Sequence, residues 1–237
     1  MKKVILFLVS ILFFIAVFLF IYLPSAYPQQ LPPNAKKYLP MVKTTIKNEW
    51  STLNPRASIG GQIEQETCIS LTNSKCWNPK AELKTSREYG FGFGQITISY
   101  KQSGVVSIDN FSAIKKLDKR LSGWTWENRY DPQKQILSLI IYDKFLYNQI
   151  PKSATEQDQL AFAFASYNGG LGGTLKDRRL CQSTKGCDPT KWFNNVEKTS
   201  YKATTKVSGY GQSFFDINRS YVRNILFTRL TKYIPYL

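Results

Sequence analysis

Residues 4–23, VILFLVSILFFIAVFLFIYL, form an uncharged, strongly apolar run, with Lys2 and Lys3 before it. A helix of that length spans about 30 Å, the thickness of a bilayer's hydrocarbon core. The lysines predict that the short end stays inside and the rest of the chain lies outside the cytoplasm. A cleaved signal peptide is the competing reading, but its apolar core usually runs about 7–15 residues, and Pro24-Ser25-Ala26 makes a poor cleavage site. Residues 24–40 hold five of the 11 prolines and predict an extended, semi-stiff spacer outside any core. A single domain over residues 41–237 follows. There, Asp131-Pro132 offers an N-cap and a first-turn proline ahead of an apolar-periodic helix reaching Ile150. Ser153 and Glu156 fit a capping box before LAFAFASY, a segment apolar on both sides and so predicted to lie deep in the core. A further amphipathic stretch covers 214–233, while 68–100, rich in Gly, Pro, Ser and Asn, reads as loops and short strands. The fold class predicted is mainly α, of α+β kind: a helical domain with a small irregular or β lobe.

Composition narrows the chemistry. The 237 residues contain no histidine, which excludes His-ligated zinc hydrolases, Cys/His peptidases and Ser/His/Asp hydrolases. Proton transfer near neutral pH then falls to carboxylates, tyrosines, lysines or thiols with displaced pKa values. The net charge is +16, and the 26 basic and 16 acidic residues from Glu49 onward leave that part at +10. An anionic partner is implied: nucleic acid, a membrane surface or an acidic cell-wall polymer. Cys68, Cys76, Cys181 and Cys187 are even in number and all follow the apolar run, as in an exported, disulfide-bonded chain. Three pairings are possible, and 68 with 76 and 181 with 187 closes the shortest loops. The spacing lacks the close CxxC pairs of a four-cysteine zinc site, and no metal or cofactor is expected.

Three constellations inside the domain can carry chemistry. In a helix started by Asn54-Pro55 and running through residues 62–67, Ile59, Ile63 and Glu66 share one face, and Glu64 points away. A Glu66 turned inward among apolar neighbours is a carboxyl that burial keeps protonated, ready to donate at neutral pH. A helix-end glutamate paired with one of the many lysines and arginines is the plainer alternative. The second constellation is Ser86-Arg87-Glu88-Tyr89-Gly90-Phe91-Gly92-Phe93-Gly94-Gln95, whose alternate glycines allow a tight turn or a close approach by ligand, but match no phosphate-loop pattern. A hairpin without a ligand explains it equally well. The third is Ser166-Tyr167-Asn168-Gly169-Gly170, where a core helix ends.

In order and spacing these segments resemble the soluble-type lytic transglycosylases, in the lysozyme-like superfamily that includes goose-type lysozymes. That family reads E-S, then S-x-x-G-A-x-G-L-M-Q, then A-Y-N-x-G, then a late Y-V. Glu66-Thr67, Ser86 through Gln95, Ser166 through Gly170, and Tyr221-Val222 are the counterparts. Thr67, Tyr89 and Gly94 depart from the pattern, and a family glutamate has no counterpart at Ile217. The resemblance implies cleavage of the β-1,4 bond between N-acetylmuramic acid and N-acetylglucosamine in peptidoglycan, with Glu66 as acid and then base and a 1,6-anhydro ring as product. It implies a substrate site of Ser86, Gln95, Tyr167, Asn168 and Tyr221, the two tyrosines orienting Glu66. A hydrolytic muramidase would use a further carboxylate, with Glu88, Asp109 and Asp118 as candidates, and a catalytically silent wall-binding protein is the reading from another class. The partners expected are peptidoglycan strands and, through the first helix, the cytoplasmic membrane, with the domain on the periplasmic or wall side; export argues against nucleic acid.

Overall fold

The computed structural model of the chain describes residues 30–207 and 211–237. The membrane helix expected over residues 4–23 and the first part of the expected spacer lie outside them. Among the described residues no helix is long and apolar enough to cross a membrane. Leu31–Leu237 fold as one unit.

Its first element corrects the expected spacer. Helix α1, Ala35–Glu49, begins inside the proline-rich stretch, and Leu31, Ala35, Tyr38, Leu39, Val42 and Ile46 are buried. These positions recur at helical spacing, so one stripe continues through the prolines and packs on the core. Pro40 sits within α1 on an exposed position, where its ring costs one main-chain bond without interrupting the buried face. Helix α2, Ala57–Thr67, follows as expected, with Arg56 rather than Asn54 at its cap.

The predicted β lobe is a four-stranded antiparallel sheet in the order β1-β2-β3-β4: β1 Glu82–Lys84, β2 Glu88–Phe91, β3 Ile96–Tyr100 and β4 Val106–Asp109. Phe91 pairs with Ile96 across the tight β2–β3 turn. Helix α3, Asn110–Lys115, is capped by the Asp109 carboxylate, which accepts from Ser112 N at 2.8 Å. Phe91, Ile96, Ile98, Phe111, Ile114, Leu121 and Trp124 form the core of this lobe, separate from the larger helical core.

Helix α4, Pro132–Gln149, starts where Asp131 accepts from Gln133 N at 2.8 Å. Helix α5, Glu156–Gly169, is buried along Leu160 to Ser166, as its two-sided apolar pattern requires. Its cap is Thr155, which accepts from Asp158 N at 3.0 Å, and not Ser153 as expected. A tertiary contact decides the start: Asp158 is buried and also accepts from Trp192 N at 2.9 Å. Helix α6, Leu171–Gln182, is stapled by Cys181–Cys187, and Cys68–Cys76 closes the loop after α2, so the short-loop pairing is the one present. The expected amphipathic stretch 214–233 is helical but changes winding: α7, Phe214–Arg223, then a π-helical turn Asn224–Arg229, then a 3-10 turn Leu230–Tyr233. This last segment packs along α2.

Candidate active site

The end of α2 delivers two glutamates with opposite surroundings. Glu64 is fully buried against the C-terminal segment, where Arg229 Nη1 and Lys232 Nζ donate to its Oε1 at 2.6 and 2.8 Å and Tyr233 donates to its Oε2 at 2.5 Å. Glu66, two residues on, faces the sheet. Its carboxylate accepts the Tyr221 hydroxyl at 2.5 Å, and no ion pair to it occurs among the described residues. Burial pushes the Glu66 carboxyl up to about 8, and the Tyr221 hydrogen bond opposes only part of that rise. At neutral pH Glu66 therefore keeps a proton. The ion-paired helix-end glutamate foreseen as the plainer alternative exists in this helix, but it is Glu64.

Glu66 opens into a cavity of about 310 Å³ between the helices and the sheet, lined also by Gln65, Glu82, Glu88, Gln95, Tyr167 and Asn168. A second cavity of about 570 Å³ adjoins it and shares Glu88, Thr97, Tyr167 and Asn168 with the first, extending toward Lys202, Phe214 and Asn218. The two together make an elongated groove that passes Glu66, a shape suited to a chain-like substrate.

The β2–β3 turn forms one wall because of its glycines. Gly92 has φ of 75°, and a side chain on it would collide with Gln135, whose Oε1 accepts from Phe93 N at 3.0 Å. A Cβ on Gly94 would lie 2.4 Å from the Tyr167 hydroxyl. That hydroxyl donates to the Gly94 carbonyl at 2.6 Å, so Tyr167 holds the turn and does not bond Glu66 as expected. Its ring lies parallel to that of Tyr221, with centroids 6.4 Å apart, and it is Tyr221 that supplies the hydrogen bond to Glu66. Gln95 reaches the groove but spends its amide on Ala81 O and Gly92 O, at 3.1 and 2.9 Å. Asn168 lines both cavities and accepts from Asn218 at 3.0 Å.

Ser86 is not brought to this site. It is exposed in the β1–β2 turn and lines neither cavity, because the hairpin carries it beyond the groove's edge. Of the further carboxylates considered, Asp109 caps α3 and Asp118 pairs with Arg120, whereas Glu88 lies on the groove. Glu82, absent from the sequence reading, also lines it, and accepts hydrogen bonds from Tyr89 and Tyr130. Asn218 was equally unsignalled, since it stands in a stretch read only for its amphipathicity. Among the described residues no group of His, Cys, Asp and Glu is placed to hold a metal ion.

A half-buried glutamate that retains its proton, set beside a long groove at the junction of a helical and a β lobe, defines a candidate acid–base centre for cleaving a polymer. Comparison with known proteins narrows this. No family model matches the chain. The chain is similar to proteins named membrane-bound lytic murein transglycosylase F. Against that of Vibrio cholerae serotype O1 it is 33% identical over 104 residues, covering 41% of this chain and 19% of the relative. The Alteromonas mediterranea protein is 33% identical over 110 residues, covering 44% and 23%. The Pasteurella multocida protein is 38% identical over 68 residues, covering 29% and 14%. The chain thus spans less than a quarter of the length of the relatives it matches. These matches bear out the resemblance to the lytic transglycosylases that the motifs carry.

Proposed function

We propose that Leu31–Leu237 is a lysozyme-like peptidoglycan lytic transglycosylase domain, held at the outer face of the cytoplasmic membrane by residues 4–23. The observation that carries this reading is Glu66: a carboxyl in a groove, without an ion pair among the described residues, with its pKa raised by burial to about 8. Such a group can protonate the glycosidic oxygen as the bond to the muramic acid C1 breaks. As carboxylate it then takes the proton from the same sugar's C6 hydroxyl, whose oxygen attacks C1 and closes the 1,6-anhydro ring. Proton loss and gain at Glu66 balance, and no water is consumed. Tyr221 orients the carboxyl, and its hydrogen bond favours the charged form that the second half requires. That Gln95, Tyr167 and Asn168 line the groove supports their role as sugar contacts, and the +10 charge from Glu49 onward suits an anionic wall. Similarity to proteins named membrane-bound supports anchoring at a membrane.

Hydrolysis is the second reading, favoured by one observation: Glu88, a second carboxyl, lines both parts of the groove, and a carboxylate beside the general acid is what activation of water needs. Mass analysis of soluble products from purified peptidoglycan separates the two. Products lighter by one water, without a reducing muramic acid end, are expected. Reducing ends would assign the chemistry to water and direct attention to Glu88, and an absence of products would bring forward the wall-binding reading.

A further inference from the structure

A second carboxyl lies deeper than Glu66 and takes no part in the mechanism above. Asp143, on α4, is fully buried, and so is Gln62, one helical turn before Glu66 on α2. Gln62 Nε2 donates to Asp143 Oδ1 at 3.1 Å. The remaining oxygen of each group, Gln62 Oε1 and Asp143 Oδ2, is buried without a hydrogen-bond partner among the described residues. Two bare acceptors on two planar groups already joined by one hydrogen bond lack one thing only, a proton between them. A carboxamide and an un-ionised carboxylic acid each carry one donor and one acceptor edge, and face to face they close two hydrogen bonds. An ionised Asp143 leaves both oxygens bare, which is costly in a buried place.

We propose that Asp143 is an un-ionised positioning residue whose Oδ2 proton is donated to Gln62 Oε1, closing an acid–amide pair that locks α2 to α4 directly behind Glu66. The groups facing Asp143 agree with this. They are Glu66 from α2, Tyr142 from its own helix, Tyr167 from α5 and Tyr221 from α7, and among the described residues no cation acts on it. Burial pushes its carboxyl well above the ordinary range, Gln62 opposes this, and the Glu66 charge adds to it. Two consequences follow for Glu66. The pair fixes the rotation of the helical turn that presents the carboxyl to the groove. It also keeps a second negative charge away, which would otherwise bind the Glu66 proton too tightly for release in the donor step.

The catalytic part of this role rests on the proposed transglycosylase reading, and the proton itself does not, so the test has two arms. In full-length Glu66→Gln protein, which lacks the other proton-holding carboxyl, infrared spectra at about pH 7.5 should show the carbonyl stretch of an un-ionised acid, and E66Q/D143N should lose it. Folded E66Q protein without that band overturns the proposal, whether or not the domain cleaves peptidoglycan. On peptidoglycan, Asp143→Ala should lower kcat about tenfold with KM little changed, through misplacement of Glu66. Asp143→Asn can rebuild two hydrogen bonds to Gln62 and should restore kcat to within about threefold, with the alkaline limb of the pH profile unmoved. A limb displaced to lower pH in D143N means that Asp143 carries a charge, and overturns the proposal. Should the alanine variant fail to fold, D143N and the E66Q spectra still decide.

Discussion

Replacing Glu66 by Gln should abolish activity and stabilise the fold, both from one cause. Burial moves the carboxyl from its ordinary 4.5 to about 8, so the folded state binds this proton more tightly than the unfolded chain does. A group raised in this way contributes stability that is fully present below about pH 4.5 and is lost as pH rises through about 8. Each pH unit within that window is worth ~1.4 kcal/mol, which gives ~3 kcal/mol between its lower edge and neutrality. Water reaching the half-buried carboxyl screens part of this, so an advantage of ~1–3 kcal/mol for the glutamine variant is expected at neutral pH. That is a large share of a total stability of about 5–15 kcal/mol. Glutamine does not titrate, and its Oε1 can still accept the Tyr221 hydroxyl, so the comparison isolates the charge. Urea unfolding of both proteins at about pH 4.5, 6 and 7.5 measures it, with the slope m checked for constancy. The stability difference should grow with pH. A difference that stays flat would refute the view that burial of an uncompensated carboxyl sets the proton affinity of Glu66.

Activity on peptidoglycan should fall as pH rises through about 8, where Glu66 loses the proton that it donates. The Tyr221 hydrogen bond favours the charged carboxylate, so Tyr221→Phe should move this alkaline limb to higher pH while lowering kcat; a limb displaced to lower pH contradicts that role. Gly94→Ala places a methyl group 2.4 Å from the Tyr167 hydroxyl and 3.1 Å from Leu139 Cδ1. Overpacking of this kind should cost ~1–3 kcal/mol in urea unfolding and weaken the Tyr167 bond to the turn. A cost within ~0.5 kcal/mol, the range of ordinary surface changes, would show that the turn moves aside freely.

What could be read from the chain was what neighbouring residues decide among themselves. The Asp131 cap, the two-sided burial of α5 and the short disulfide loops all follow from local spacing. Where a distant contact intervened, the reading slipped. Trp192 draws Asp158 into the core and moves the start of α5 from Ser153 to Thr155. Proline content hid the stripe from Leu31 to Ile46, because proline bars a main-chain donor but does not prevent a helix from burying its opposite face. Ser86 fitted its motif in register, yet the hairpin that carries the motif turns it to solvent. Asp143, in an amphipathic helix, looks like one more polar residue for the water side. Its partner Gln62 is 81 positions away, and no local pattern announces the pair.

The same limit explains why charge misleads at the catalytic helix. From Glu49 onward basic residues outnumber acidic ones by ten, so a glutamate taken at random there has ample cations to choose from. Glu64 follows that statistic, and Arg229, Lys232 and Tyr233 satisfy it completely at the bottom of α2. Because α2 turns about 100° per residue, Glu66 points to the far side, where its charge acts on Tyr167, Tyr221 and Asp143 and where, among the described residues, it makes no ion pair. The arrangement separates two tasks that a single carboxylate cannot combine. An ion-paired glutamate anchors the helix through its charge, while a buried glutamate without a cation can give a proton and weakens the fold by being there. Glu64 secures the helix end against the C-terminal segment, and that anchorage is what allows Glu66 to remain unpaired at the groove.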